Sequence, residues 1–163
     1  MLVCVQPLGT IAHDGDSCSL RFERLYDATA DELWRALTDP EQLPGWLGHA
    51  TRWELVAGAE YELDLGGPTT GRIRAIEPGR VLELDWRYED EPESIVRVEI
   101  VPRDHGVLLV LDHRRLAPDS APGYGAGWHA HLDALAKPFT LDARDRTALY
   151  RERLPAYRRH AAV

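Results

Sequence analysis

The middle of the chain alternates apolar and polar residues, which predicts strands with one covered and one solvated face. Leu82, Leu84 and Trp86 alternate with charged residues, and Val96 and Val98 belong to a second such run. This alternation is typical of antiparallel sheets, and the short turns between runs leave no room for the crossover helices of a parallel sheet. The six expected strands are 50–55, 60–65, 70–76, 81–88, 94–101 and 107–116.

The residues before this meander predict a β-hairpin followed by two short helices. Segment 8–26 holds two strand-like runs around an Asp-Gly turn, a pair that tolerates the positive φ angles of tight hairpins. Segment 29–47 begins with Thr29 or Asp27 as a helix cap, and a second helical piece is expected to start at Pro40. We expect these helices to brace one end of the sheet.

The last third of the chain predicts two further helices. From about 122 to 137, large apolar residues recur at spacings of three, four and seven, so they share one stripe of an amphipathic helix. The stripe consists of Tyr124, Trp128, Leu132, Leu135 and Phe139. Pro138 is expected to end or kink this helix. A final helix is expected at about 142–160, with Asp142 as its cap and a bend at Pro155.

Charge and cysteine content narrow the class of protein. The 163 residues suit a single domain, 1–163, and 19 basic against 27 acidic residues give a net charge of −8. This balance argues against nucleic-acid binding, which needs a concentrated basic surface. No apolar run approaches the length of a membrane span. Cys4 and Cys18 match no metal or redox spacing, and a disulfide between them is an alternative to free thiols. We expect a cytoplasmic protein without membrane insertion.

The order of these elements and several motifs resemble the START-like (SRPBCC) superfamily, in its branch of bacterial homologues of the activator of the heat-shock protein 90 ATPase. The similarity covers about residues 8–160 and rests on motif order and spacing more than on any single motif. The motifs are ATADELWRALTDPEQL at 28–43 with Trp46 after it, GRIRAIEP at 71–78, LELDW at 82–86, Leu111-Asp112-His113, and Gly127-Trp128 within the predicted long helix.

The resemblance implies an α+β helix-grip fold, in which a curved antiparallel sheet wraps a long C-terminal helix. It also implies a cavity between sheet and helix, which in relatives holds lipids, sterols or polyketides. Some members of the superfamily are cyclases, hydratases or hydrolases that use the same cavity. In the eukaryotic activator, contact with the chaperone also depends on a separate N-terminal domain, so we do not expect this chain to contact the chaperone.

The candidate ligand-binding residues are those that the alternation and the helical stripe direct toward this cavity. They are Trp46, Tyr61, Trp86, Leu111, His113, Tyr124, Trp128, His131 and Leu132. For Trp86 and Trp128 the pattern fits a pocket wall and ordinary core packing equally well. His113 ends a strand of apolar inward residues, so it is either a ligand-orienting or acid–base group or a histidine that is hydrogen-bonded within the core.

The histidines of the predicted long helix do not form a metal site by their spacing. His129 and His131 point about 200° apart, whereas helical ligand pairs are three or four residues apart. His129 and Asp133 have that spacing, but we expect both to face solvent. No metal and no cofactor are therefore expected.

Three functions follow from these patterns. The first, which we favour, is binding of a hydrophobic or amphipathic small molecule. The second is a cyclase- or hydrolase-type enzyme that uses His113, in which His113→Ala abolishes turnover. The third is an interaction module, either a homodimer through the sheet edge or the C-terminal helix, or a partner of the chaperone.

Overall fold

An eight-stranded antiparallel sheet and three α-helices make up the part of the chain that the computed structural model describes, residues 8–136 and 146–161. The strand order across the sheet is β1-β2-β8-β7-β6-β5-β4-β3. The strands are β1 (Thr10–Asp14), β2 (Ser17–Tyr26), β3 (His49–Arg52), β4 (Glu60–Asp64), β5 (Pro68–Glu77), β6 (Val81–Tyr88), β7 (Ser94–Pro102) and β8 (Val107–Leu116). The helices are α1 (Ala30–Thr38), α2 (Ala121–Leu135) and α3 (Arg146–Ala161), with a short 3₁₀ helix at Leu43–Gly45.

Helix α1 begins with a reciprocal cap that distinguishes between the two caps predicted from the sequence. The Thr29 hydroxyl accepts a hydrogen bond from the backbone N–H of Glu32, and the Glu32 carboxylate accepts one from the backbone N–H of Thr29. Two donors of the first turn are thereby satisfied, so Thr29 rather than Asp27 starts the helix.

The second short helix differs from the sequence prediction. No helix begins at Pro40; a turn follows α1, and only Leu43–Gly45 adopts a 3₁₀ conformation. Pro44 explains the difference, because it disfavours the α conformation at the residue before it and has no N–H to donate. The four residues from Pro40 to Leu43 are too few to form an α-helix before that break.

Helix α2 lies against the sheet face that the alternation predicted to be covered. On β2 this face carries Leu20, Phe22, Arg24 and Tyr26, all of them buried. The Tyr26 hydroxyl donates a hydrogen bond of 2.9 Å to the carbonyl of Leu132, which ties β2 to α2. The curved sheet wrapped over α2 is the α+β arrangement expected from the sequence.

Helix α3 covers the opposite side of α2 and corrects the prediction that His129 and Asp133 face solvent. His129 is fully buried, and its Nδ1 lies 2.9 Å from the hydroxyl of Tyr157 on α3. The same hydroxyl accepts a 2.7 Å hydrogen bond from the backbone N–H of Gly9. The apolar stripe of α2 predicts one covered face, whereas the helix is packed on two, against the sheet and against α3.

The ends of the predicted last helices lie partly outside the described residues. This is the case for Pro138 as the stop of α2 and for Asp142 as the cap of α3. Pro155 lies within α3. Among the described residues, no helix has the length and apolar character needed to cross a membrane.

Adding one methyl group at each of two glycines of α2 should change the stability of the protein in opposite directions. At Gly125 a Cβ atom would lie 2.5 Å from Cδ1 of Tyr157, whose ring is buried and hydrogen-bonded, whereas at Gly127 no atom lies within 4 Å. Gly125→Ala should therefore lower the free energy of unfolding by about 1–3 kcal/mol. Gly127→Ala should raise it by up to about 1 kcal/mol, because alanine is the better helix former. Urea denaturation measures both, and equal effects of the two substitutions would contradict the α2–α3 packing.

Candidate functional site

A pocket of about 920 Å³ opens where the first turns of α2 meet the end of β6 and the side of α3. Its size lies within the range of small-molecule sites, and aromatic side chains form much of its wall. The lining residues are His13, Leu65, Trp86, Tyr88, Glu91, Pro118, Asp119, Ser120, Pro122, Gly123, Tyr124, Gly127, Trp128, His131, Tyr150, Leu154 and Arg158.

Four of the nine residues predicted to bind a ligand line this pocket: Trp86, Tyr124, Trp128 and His131. The rings of Trp86 and Trp128 are 5.3 Å apart and inclined by 50°, so sheet and helix meet through two indoles. Both residues are almost fully buried, at 3% and 4% exposed. They serve as core and as pocket wall at once, which is why the sequence pattern fitted both roles.

The other five predicted residues do not line the pocket: Trp46, Tyr61, Leu111, His113 and Leu132. All five are buried in the packed interior. Trp46 donates its indole N–H to the carbonyl of Ala36, and Tyr61 donates its hydroxyl to the carbonyl of Asp85. These polar tips are satisfied by the backbone, so the two side chains serve as core. The sequence pattern shows that a side chain points inward, but not whether it lies in the packed interior or at the open end where the pocket is.

His113 is fixed by hydrogen bonds on both ring nitrogens. The Trp128 indole N–H donates to Nδ1 at 2.9 Å, and Nε2 lies 2.7 Å from the hydroxyl of Ser94. An indole can only donate, so we infer that the proton of the imidazole sits on Nε2 and is donated to Ser94. The Ser94 hydroxyl in turn donates to the carbonyl of Trp86. Both nitrogens of the imidazole are thus engaged in one closed chain of hydrogen bonds within the protein.

Burial keeps His113 neutral. Loss of hydration disfavours the imidazolium and lowers the pKa of His113 to about 3. A neutral Nδ1 is also what the Trp128 indole requires as its acceptor. The residue therefore joins α2 to the sheet as a neutral acceptor, and its geometry matches the core role named in the sequence analysis.

A polar pair at the pocket wall joins the turn after β6 to α2. The Tyr124 hydroxyl donates a hydrogen bond to Oε2 of Glu91. Burial and this carboxylate raise the pKa of Tyr124, while the Trp86 indole acts in the opposite direction. The Trp86 N–H itself is buried and makes no hydrogen bond of good geometry with the described residues. One wall of the pocket thus combines a carboxylate, a phenol and an indole.

His131 lies between this pocket and a smaller one of about 550 Å³. The carbonyl of Trp46 lies 2.7 Å from Nδ1 of His131 and accepts a hydrogen bond from it. Leu65, Gly127 and Tyr150 also line both pockets. The two hollows are therefore neighbours beneath α3.

Some lining residues were missed by the sequence analysis although a signal existed. Tyr88 follows Trp86 by two residues, so alternation alone directs it toward the pocket. Alternation likewise directs Ser94, which precedes Val96 by two residues, inward, where it lies 2.7 Å from Nε2 of His113 and outside the pocket lining. Glu91 lies in a turn, where no periodicity predicts the direction of a side chain. Tyr150, Leu154 and Arg158 reach the pocket only because α3 folds back on α2, which a one-dimensional pattern does not reveal.

The buried His129 belongs to a structural polar cluster. Its Nδ1 lies 3.2 Å from Arg24 and its Nε2 lies 3.6 Å from the carboxylate of Asp133. Burial and the charges of Arg24 and Arg153 lower the pKa of His129 to about 3. Within residues 8–136 and 146–161, no three His, Cys, Asp or Glu side chains are grouped so as to hold a metal ion.

The curved sheet around α2, with an aromatic pocket at one end, defines a helix-grip protein of the START-like class. Residues 27–140 match the family described as Activator of Hsp90 ATPase homolog 1-like protein. The match spans more than half of the chain, and the chain belongs to this family. The resemblance stated from the motifs is thereby confirmed, as is the fold class. No curated protein matches the sequence significantly.

Solved structures agree with this assignment. The crystal structure of CalU16 from Micromonospora echinospora is 29% identical, covers 90% of each chain and has a TM-score of 0.78. The solution structure of CalU16 gives 25% identity, a TM-score of 0.79, and coverage of 99% of this chain and 98% of that one. The protein encoded by gene BPP1335 of Bordetella parapertussis is 27% identical, with a TM-score of 0.68 over 90% of this chain and 86% of its own.

The neutral state of His113 predicts a pH dependence of stability. Its pKa is about 3 when folded and 6.5 as a free side chain, so only the unfolded chain gains this proton as the pH falls through the interval between them. Stability from this group is complete above pH 6.5 and declines below it by up to about 1.4 kcal/mol per pH unit. Urea denaturation between about pH 6.5 and pH 5 should show a shallower decline for His113→Gln than for the unchanged protein.

Nitrogen-detected NMR gives a second test of the same point. His113 should show the proton on Nε2 and no titration of its ring above about pH 5. A ring that titrates near neutral pH would contradict the closed hydrogen-bond chain.

Proposed function

We propose that this protein binds a hydrophobic or amphipathic small molecule, such as a lipid, sterol or polyketide-like compound, in the pocket between β6, α2 and α3. The observation that carries the proposal is the pocket itself: about 920 Å³ in volume, with Trp86, Trp128 and Tyr124 in its wall. Large aromatic surfaces that remain beside an open volume favour an apolar guest, because its burial removes both surfaces from water. We place this activity in the cytoplasm.

The wall combines a fixed aromatic ring with a few polar groups. Trp128 is held by its hydrogen bond to His113, so its ring is positioned before a ligand arrives. A few polar groups, among them Glu91 and His131, supply orientation within the aromatic surroundings. The closed hydrogen-bond chain of His113 supports binding over the hydrolase-type alternative at that residue. Three statements on partners stay predictions: that the protein does not bind nucleic acid, that it does not contact the chaperone, and that it forms a homodimer.

Gly127→Leu tests the proposal by filling the pocket from within. Gly127 lines both hollows and has open space where a side chain would begin, and leucine is a good helix former. The variant should fold but bind the neutral fluorescent probe N-phenylnaphthylamine at least about tenfold more weakly than the unchanged protein. Gly45→Leu is the matched control, because Gly45 also has open space but lies outside the pocket.

Native mass spectrometry of the freshly purified protein addresses the natural ligand. We expect a retained small molecule in the unchanged protein and in Gly45→Leu, and its loss in Gly127→Leu. Equal probe binding by the two variants, with no molecule retained by any of the three proteins, would remove the proposed function.

A further inference from the structure

We infer that the ligand of this pocket carries a protonated amine, which lies at the Glu91–Tyr124 wall with its apolar body against the indoles. The inference rests on the proposed function and adds the charge of the ligand to it. The supporting observations are the hydrogen-bond partners and the charges of the polar side chains in the pocket wall.

The carboxylate of Glu91 has one oxygen engaged and one available. Oε2 accepts the hydrogen bond of Tyr124, and among the described residues no side chain donates to Oε1 or forms an ion pair with Glu91. A carboxylate on a partly buried wall gains most from a charged donor, since hydrogen bonds between ions are about twice as strong as neutral ones. An ammonium group supplies several such donors.

The surroundings of Glu91 favour a cation for a second reason. Trp86, Tyr88, Tyr124 and Trp128 line the same pocket, and the faces of aromatic rings attract positive charge. Asp119 adds another negative charge at the pocket, but it is exposed, so water screens it as it screens the exposed Arg158. Aromatic walls beside a carboxylate are the arrangement that selects ammonium groups over neutral ones.

One positive group lines the pocket as well, and it lies on another element. Arg158 of α3 is exposed, so water screens its charge more strongly than that of Glu91. The remaining titratable lining groups are His13 and His131 and the phenols of Tyr88, Tyr124 and Tyr150. The carboxylates therefore exceed the permanent cations at this site.

Three anthracene derivatives of one ring system and different charge test the inference by calorimetric titration at neutral pH. Aminomethylanthracene is a cation, anthracenemethanol is neutral and anthracenecarboxylic acid is an anion. The unchanged protein should bind the cation at least about tenfold more tightly than the alcohol, because hydrogen bonds to charged groups contribute more than neutral ones. The anion should bind most weakly.

Glu91→Gln removes the charge but keeps an oxygen that can accept the Tyr124 hydroxyl. It should abolish the preference for the cation over anthracenemethanol, and a urea denaturation midpoint close to that of the unchanged protein shows that the variant is still folded. Asp90→Asn is the control, because it removes the same charge from an exposed neighbour that does not line the pocket. It should keep the preference.

The possible results separate this inference from the proposed function. Equal binding of all three compounds, unchanged by Glu91→Gln, would overturn the cationic ligand and leave an apolar pocket. A loss of preference in Asp90→Asn as large as in Glu91→Gln would show a general charge effect and would likewise overturn it. Failure of all three compounds to bind the unchanged protein would count against the proposed function itself.

Discussion

The fold depends on one contact, the place where Trp128 of α2 meets the sheet. Its ring packs on Trp86 at 5.3 Å, and its N–H bonds to His113, whose other nitrogen is bonded through Ser94 to the backbone of β6. Apolar burial holds the helix on the sheet, while the hydrogen bonds fix its rotation and height. A neutral histidine is required for this, and burial provides it. Trp86 and Trp128 lie at the boundary between the packed core and the pocket.

Helix α3 contributes the second constraint. Tyr157 fills the space beside Gly125 of α2, and its hydroxyl is hydrogen-bonded to the backbone N–H of Gly9 and to Nδ1 of His129. Because this polar cluster is buried, α3 is positioned by hydrogen bonds as well as by apolar contact. Its side chains Tyr150 and Leu154 then close one side of the pocket. Binding, as proposed, thus depends on a helix outside the sheet-and-helix core.

The sequence predicted the sheet well because its strands alternate and are short. The β6 and β8 bounds came out as expected, since apolar residues fill one face and turn residues stand at the ends. The site was harder to predict, because Trp86 of β6 and Leu111 of β8 both face inward although only Trp86 lines the pocket. Trp86 lies near the end of its strand, where the pocket opens, and alternation does not show which end of the sheet is open. The prediction that His129 faces solvent was wrong because α3 covers that side of α2. The sequence of α2 has no second apolar stripe that would indicate this contact.

A ligand bound as proposed contacts the indoles of the pocket and not those of the packed core. The most direct measurement is the NMR spectrum of the tryptophan indole N–H groups during titration with anthracenemethanol. We expect the Trp86 and Trp128 signals to shift. The signals of Trp46 and of the partly buried Trp53, whose N–H groups donate to the carbonyls of Ala36 and Thr38 and which do not line the pocket, should stay in place. Shifts confined to Trp46 and Trp53, or a spectrum that saturating compound leaves unchanged, would contradict it.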